Sequence, residues 1–404
     1  MKKIVYIIVG IVIFLVVAGF ITKAVIEKVT RDITEREIRR IAGDQADRIT
    51  QEEIDRIAQE KTEEITRGIL GSGTASSSLK TVECDKTPVA RQFSASSYYE
   101  GPLIDAHLHM PFTFDVPQAL YAQADFNGAT LEKGVPAASL ICLFDKTNVK
   151  SALGFYVVPS LLKTQSLVQI KQIDEQYPNK ITPFIMTAHV SALNIQPADV
   201  ESVIKSNPGL FKGFGELALY KDAYKGVSPD DESLRLYYAL AEKYDLVVMV
   251  HPDDGQQEAV KKILKDYPKV KFLFHGHEIV PSIAEIIAIP NAFYTIDTDL
   301  SDVPGESQSV NLYADKTKDQ FITDFKRDYD KIQAAALKNW KNFIEQYPDK
   351  FLWGTDRAYT MHFDDEVGAL LDESARAFIA QLDPAVRENF AYKNAEKLLE
   401  GDDE

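Results

Sequence analysis

The chain is poor in cysteine and has no excess of positive charge, and each shortage narrows the possible functions. Its 404 residues include two cysteines, Cys84 and Cys142. Two cysteines cannot build a disulfide scaffold or a Cys-x-x-Cys zinc site. They can form one bridge if the chain is exported, or stay free thiols if it is not. The formal net charge of -16 argues against a nucleic-acid partner, whose phosphates attract a basic surface.

Charged side chains are absent from one long stretch near the N-terminus. Lys3 and Lys23 bracket residues 4–22, which are uncharged and rich in Ile and Val. As a helix this stretch would span about 28 Å, the thickness of a bilayer core. We therefore predict a transmembrane anchor over 4–22 and a single-pass membrane protein; a cleaved signal peptide is the alternative, but no clean cleavage site follows. The short Lys-Lys start favours an extracytoplasmic domain, whereas the basic residues after the span favour the opposite orientation; we predict export.

Proline is absent from the next segment, and no heptad seam runs through it. Residues 23–70 are strongly charged with sparse Ile and Val, which predicts a charged helical stalk. A coiled coil would need an unbroken apolar heptad seam, so we predict a solvated stalk that could self-associate. Residues 71–95 begin with a Gly- and Ser-rich run and are predicted to be a flexible linker. The remaining domain spans residues 96–404.

Short apolar runs alternate with amphipathic segments throughout this domain. Eight such runs are candidate strands, and the alternation with helices predicts an α/β fold, a (β/α)8 TIM barrel. An open doubly wound sheet is the alternative fold, but no glycine-rich phosphate turn follows the first strand. The candidate strands are residues 103–109, 138–144, 182–189, 211–219, 245–251, 270–275, 292–297 and 351–356.

Polar residues that end these buried runs form the candidate site. An imidazole or carboxylate there is costly unless it meets water, a partner or a metal. In a (β/α)8 barrel the C-terminal strand ends meet at one rim and carry the working residues. Mixed imidazole and carboxylate donors suit Zn²⁺ first, and also Mn²⁺ or Fe²⁺, so we predict that the rim binds a divalent metal. The predicted metal ligands are His107, His109, Glu216, His251, His275 and Asp356.

These residues and their flanks resemble the amidohydrolase superfamily of metal-dependent hydrolases over about residues 100–400. The flanks, Gly213-Phe-Gly-Glu216, His275-Gly276 and Gly354-Thr-Asp356, are most similar to its amidohydrolase-2 branch, which also includes decarboxylases. The resemblance implies a first metal held by His107, His109 and Asp356. It implies that His251 and His275 complete one or two sites. Glu216 stands where some relatives have a ligand that bridges two metals.

The hydrolytic hypothesis follows from this ligand set. We predict a membrane-anchored hydrolase in which metal-activated water attacks an ester, amide, lactone or similar bond of a small molecule. Asp356 would accept a proton from the metal-activated water and deliver it to the leaving group. His275, together with the metal, would polarise the carbonyl or phosphoryl oxygen of the substrate. His277 and Arg357 are candidate substrate-binding residues, although Arg357 adjoins Asp356 and would face the opposite side of a strand. Two alternatives stay open: a metal-dependent decarboxylase, and a non-catalytic membrane-tethered interaction domain.

Overall fold

The structure is a computed structural model, and it describes most of the chain after residue 83. The described residues belong to one compact unit, residues 79–114 with 125–404. The predicted anchor and stalk, and most of the predicted linker, lie outside the described residues. The described ranges are 84–85, 87, 89–111, 135–158, 163–186, 195–220, 227–297, 317–357 and 360–400.

Eight parallel strands form the centre of the unit and lie in chain order, β1 to β8. Helical segments alternate with the strands, so the predicted (β/α)8 barrel is confirmed. Strands of a barrel are covered on both faces, and every residue of β1, β4 and β8 is buried accordingly. The strands are β1 Leu103–His109, β2 Val149–Val157, β3 Ile181–Met186, β4 Gly213–Ala218, β5 Val247–His251, β6 Phe272–Phe274, β7 Ala292–Asp297 and β8 Phe351–Gly354.

The helices show the apolar spacing expected of a layer that packs on a barrel. Helix α4 buries Leu234, Tyr237, Tyr238 and Ala241, which share one face. Its first turn is capped by the Asp231 carboxylate, which accepts a hydrogen bond from the Ser233 backbone N–H. The α-helices are α1 Ala137–Thr147, α2 Lys163–Gln176, α3 Pro197–Ser206, α4 Glu232–Tyr244, α5 Gln257–Asp266, α6 Ile283–Ile287, α7 Lys318–Gln346, α8 Asp365–Ile379 and α9 Asn394–Leu399.

One predicted strand is wrong. Residues 138–144 lie inside α1, where Ala137, Leu140, Ile141 and Phe144 are buried at helical spacing. A short apolar run fits a buried strand and a buried helix equally well, and here the run forms a helix. The second strand is instead β2, which begins with Val149, exposed Lys150 and half-buried Ser151 before its six buried residues. Because those two polar residues interrupt the apolar run, the start of the strand cannot be recognised from the sequence.

The barrel closes where β8 meets β1. The main chain contributes a single isolated bridge here, between Leu108 and Arg357. Two backbone hydrogen bonds accompany it: the Asp356 N–H donates to the His107 carbonyl at 2.8 Å, and the His109 N–H donates to the Arg357 carbonyl at 3.2 Å. The closing seam therefore lies at the level of the predicted metal ligands.

Residues 89–101, which we call the N-terminal strap, cross helices α7 and α8 before β1 begins. Phe93 stacks on Tyr329 of α7, with ring centroids 3.7 Å apart and planes 8° from parallel. The backbone N–H groups of Gln92 and Phe93 donate to the Glu373 carboxylate of α8 at 2.6 and 2.8 Å. Ahead of the strap, a disulfide joins Cys84 to Cys142 of α1. The sequence was compatible with either a disulfide or two free thiols, and the structure has the disulfide.

The predicted single-pass membrane localisation, with the barrel outside the cytoplasm, is contradicted. Among the described residues, no helix combines the length and the apolar character needed to cross a bilayer. The longest of them, α7, has 29 residues but carries charged side chains along its length, which a membrane interior disfavours. The proposed span itself, residues 4–22, lies outside the part of the chain that the structure describes.

Candidate metal centre

The two histidines of β1 lie together at the end of the strand. His107 is 1% exposed and His109 is 7% exposed, and their ring centroids are 4.9 Å apart. Residues two apart on a strand point to the same side, so both imidazoles face the barrel interior. Phe155 of β2 lies beside His107, with its ring centroid 5.3 Å away and nearly perpendicular. An aromatic wall thus borders the pair on one side.

Asp356 meets three of the predicted histidines just after β8. Its Oδ1 atom lies 3.0 Å from His109 Nε2 and 3.4 Å from His107 Nε2, and its Oδ2 atom lies 3.4 Å from His275 Nε2. The backbone of Asp356 has a φ of 48°, a left-handed conformation that non-glycine residues adopt at a cost. This turn aims the carboxylate back over the end of β1.

Glu216 of β4 also approaches the two histidines of β1. Its Oε2 atom lies 3.3 Å from His109 Nε2 and 3.7 Å from His107 Nε2. Its Oε1 atom lies 3.0 Å from Nδ1 of His251. The preceding residue must be glycine, because a Cβ on Gly215 would lie 2.3 Å from the carbonyl oxygen of Met249. Glu216 therefore connects the β1 histidines with the β5 histidine.

The structure brings all six predicted ligands into one cluster. The ring of His275 packs between two others, with its centroid 4.5 Å from that of His107 and 4.7 Å from that of His251. Within the cluster, ligand atoms of His107, His109 and Asp356 all lie within 4.8 Å of one another. Two imidazole nitrogens and one carboxylate oxygen are the donor types that a catalytic zinc-type site uses.

An unsatisfied buried atom supports a metal at this position. Within the described part of the chain, neither ring nitrogen of His107 makes a well-formed hydrogen bond, although the residue is 1% exposed. Its Nε2 atom lies near two carboxylates, at 3.4 Å from Asp356 and 3.7 Å from Glu216. A buried polar group without a partner is costly and calls for an explanation. Burial lowers the pKa of His107 to about 4 despite the nearby Asp356 carboxylate. Its imidazole is therefore neutral, the form that binds a metal ion, and the residues present fit a divalent cation.

Contacts within the cluster lower the pKa of its carboxylates and raise the pKa of two of its histidines. Burial opposes charge on His109, but hydrogen bonds to Asp356 and Glu216 outweigh it and raise its pKa to about 10. Burial also opposes charge on His251, where Glu216 and Glu278 raise the pKa to about 10. Burial alone would raise the pKa of Asp356, yet the imidazoles of His107 and His275 hold it well below its usual range.

The two predicted substrate-binding residues are not members of the six-residue cluster. Arg357 is 1% exposed, and its guanidinium donates to the Asp372 carboxylate of α8 at 2.6 Å and to the Gly368 carbonyl at 2.9 Å. Its side chain therefore lies between the barrel and α8, away from the six-residue cluster. His277 begins the turn after β6, and 54% of its side chain is exposed. It lies at the rim, with Nδ1 3.7 Å from Glu278 Oε1.

Glu278 belongs to the cluster although the sequence analysis did not select it. Its Oε2 atom lies 3.2 Å from Nε2 of His251, so His251 is held between two carboxylates. The approach requires Gly276, whose φ is 98° and on which a Cβ would lie 2.3 Å from His251 Nε2. The available signal was an acidic residue three positions after His275. Glu278 lies in the turn that follows the strand, not at the strand end itself.

Comparison with known proteins identifies the family. The sequence profile of the amidohydrolase family, Amidohydro_2, matches residues 104–401, and no curated protein matches the chain. An amidohydrolase from Burkholderia multivorans is 13% identical, with a TM-score of 0.50, over 74% of this chain and 99% of that one. A probable 2-pyrone-4,6-dicarboxylic acid hydrolase from Acinetobacter baumannii is 14% identical over 74% and 98% of the two chains, with a TM-score of 0.47.

A dihydroxybenzoic acid decarboxylase from Polaromonas sp. JS666, solved with bound manganese, is also similar. It is 12% identical over 74% of this chain and 97% of that one, with a TM-score of 0.40. Of these three structures, the one from Burkholderia multivorans reaches a TM-score of 0.50, and at 13% identity it shows the shared fold alone. The family profile covers most of the chain, including every residue of the cluster. The chain therefore belongs to the amidohydrolase family, and it is an enzyme of the amidohydrolase type.

Proposed function

We propose that the protein is a metal-dependent hydrolase that acts with water on an ester, amide, lactone or similar bond of a small molecule. The observation that carries the proposal is the convergence of His107, His109 and Asp356, whose ligand atoms lie within 4.8 Å of one another. These three residues would hold the metal, with zinc favoured by the donor set and manganese or iron as alternatives. Glu216, His251 and His275 would complete this site or a second one.

A bound divalent cation supplies Lewis acidity and lowers the pKa of a water molecule from ~15.7 towards ~7. The protein supplies proton transfer and orientation. Asp356 is ionised and its Oδ2 atom is 3.4 Å from His275 Nε2, so it can accept a proton from the attacking water and return it to the leaving group. His275 orients that carboxylate and can donate to the substrate oxygen. Phe155 limits access of bulk water to the β1 histidines.

Hydrolysis is favoured over decarboxylation by the placement of Arg357. A decarboxylase would benefit from a basic side chain that pairs with the substrate carboxylate alongside the metal. Arg357, the basic residue nearest in sequence to Asp356, instead pairs with Asp372 on the outside of the barrel. In the part of the cluster that the structure describes, the other side chains are carboxylates and imidazoles.

Elemental analysis of the purified full-length chain, combined with a panel of lactones, amides, esters and phosphoesters, tests the proposal. We expect at least one equivalent of a divalent metal and metal-dependent release of a hydrolysis product. The panel includes aromatic carboxylic acids, for which carbon dioxide release would point to decarboxylation instead. A protein that binds no divalent metal after incubation with Zn²⁺ and Mn²⁺ would overturn the proposal.

The Asp356→Asn variant tests the assigned ligand and proton carrier. Removing a general acid-base group lowers kcat by ~10²–10⁴-fold, and we also expect a lower metal content. The matched control is Asp330→Asn, because Asp330 is an exposed aspartate on α7. Equal metal content and equal kcat in the two variants would show that Asp356 has neither role.

A further inference from the structure

The seam between β1 and β8 holds the two halves of the candidate metal site together. His107 and His109 belong to β1, and Asp356 follows β8. The main chain joins the strands here through the Leu108–Arg357 bridge and the two backbone hydrogen bonds described above. Movement along the seam would change the distance between the imidazoles and the carboxylate, so side chains that cross it can set the geometry of the site.

Asp105 is such a side chain. It is 1% exposed and lies on β1, two residues before His107. Its Oδ1 atom accepts from the backbone N–H of His107 and from the backbone N–H of Thr355, both at 3.0 Å. Its Oδ2 atom accepts from the Thr355 hydroxyl at 2.6 Å. One carboxylate thus binds the backbone on both sides of the seam.

Thr355 lies on the β8 side of the seam and contacts the backbone of both strands. Its Oγ1 atom lies 3.3 Å from the carbonyl oxygen of His107 and accepts from the Arg357 backbone N–H at 3.3 Å. Asp356, between these two residues, has the left-handed φ of 48°. Such a conformation persists only when its surroundings enforce it. The hydrogen bonds of Thr355 and the donation from Asp356 N–H to His107 fix the backbone on each side of that residue.

We propose that Asp105 and Thr355 are positioning residues that hold the β1 histidines and Asp356 at the separation a metal ion requires. This inference rests on the proposed metal-dependent function and extends it to two residues that contact no metal. Asp105 and Thr355 act through the backbone of the ligands. Outer partners of metal ligands typically contribute ~10–100-fold to metal affinity. We therefore expect their loss to weaken metal binding more than it weakens the fold.

The Thr355→Val variant removes the hydroxyl and keeps the branched shape. Thr355→Ser is the rescue, because it restores the hydroxyl. The matched control is Thr295→Val: Thr295 of β7 is completely buried, and its hydroxyl has no hydrogen-bond partner within the described residues. Asp105→Asn is the second test, since it keeps the carbonyl acceptor of the two N–H groups and changes only the oxygen that faces Thr355.

Three measurements separate positioning from general stability. Zn²⁺ affinity is measured by competition with a chelator, and the unfolding of the metal-free protein is measured by urea titration. The visible absorption of the Co²⁺-substituted protein reports ligand geometry directly. We expect Thr355→Val and Asp105→Asn to bind Zn²⁺ at least about tenfold more weakly with an altered Co²⁺ spectrum. Thr355→Ser and Thr295→Val should match the wild type in both.

The outcomes distinguish this inference from the proposed function. If the wild-type protein binds Zn²⁺, and Thr355→Val and Asp105→Asn have the same Zn²⁺ affinity and Co²⁺ spectrum, the positioning role is wrong. The proposed metal site is then still supported. Equal weakening in Thr295→Val would also overturn it, because the effect would then belong to any buried threonine. Absence of metal binding in the wild type overturns both. Should Thr355→Val fail to fold, Asp105→Asn decides.

Discussion

The buried ion pair between Arg357 and Asp372 allows a sharp test, because the two roles considered for Arg357 predict different results. Each side chain is 1% exposed, and their nearest atoms are 2.6 Å apart. The Asp372→Leu variant would leave the guanidinium buried with the Gly368 carbonyl as its remaining described acceptor. Removing one partner of a buried pair typically costs ~3–5 kcal/mol, because the other charge is left uncompensated.

The lower part of that range applies here, since the Gly368 carbonyl still accepts one hydrogen bond. We therefore expect Asp372→Leu to lower the free energy of unfolding by about 3 kcal/mol, or the Tm by roughly 6 °C. Apolar replacement of both partners is often neutral. The double variant, Arg357→Met with Asp372→Leu, should consequently recover to within about 1 kcal/mol of the wild type.

Urea denaturation of the single and double variants provides the free energies, and metal content and kcat/KM are measured on the folded double variant. Asp365→Leu on the same helix is the control. Its side chain is 51% exposed and pairs with Lys146, and a pair with such an exposed partner contributes less than about 1 kcal/mol. If Arg357 only supports the fold, the double variant keeps its metal and its KM.

Two results would refute this reasoning. A loss below about 1 kcal/mol in Asp372→Leu would show that the pair does not carry the expected energy. A stable double variant with a strongly raised KM would show that Arg357 serves the substrate, as the sequence analysis considered.

Two further predictions concern the N-terminal strap. Glu373→Gln removes a charged acceptor from the Gln92 and Phe93 N–H groups, so we expect about 1–3 kcal/mol of local destabilisation, seen as faster hydrogen exchange of those two amides; unchanged exchange would contradict it. Burial raises the pKa of Tyr99 from 10.0 to about 12, so the folded state keeps a proton that the unfolded chain has lost. Stability is then fully present below pH 10 and declines as the pH rises towards 12; a Tyr99→Phe variant should show a smaller decline, and an identical profile would argue against the assignment.

The strand ends could be predicted from the sequence because they carry a simple signal. His107, His251, His275 and Asp356 each follow an apolar run, and parallel strands bring their C-terminal ends to one rim. Seven of the eight strands were located from such runs to within a few residues. The exception is β2, where Lys150 and Ser151 interrupt the apolar run. The neighbouring helix α1 contains an apolar run that resembles a buried strand.

Pairings between side chains could not be predicted in the same way. That Arg357 pairs with Asp372 depends on how α8 packs against β8, and 14 residues of chain separate the two. The contact of Glu278 with His251 depends on a turn whose shape Gly276 permits. The bonds of Asp105 to Thr355 join residues 250 positions apart. Periodicity identifies which residues point inward, whereas the closure of the barrel decides which of them meet.

The disulfide between Cys84 and Cys142 determines how mechanical load travels through the protein. Strand β1 lies between the two cysteines in the chain, so it is inside the covalent loop. Tension applied to the chain ahead of Cys84 crosses the sulfur bridge directly into α1. The strand that carries His107 and His109 is therefore shielded from that force.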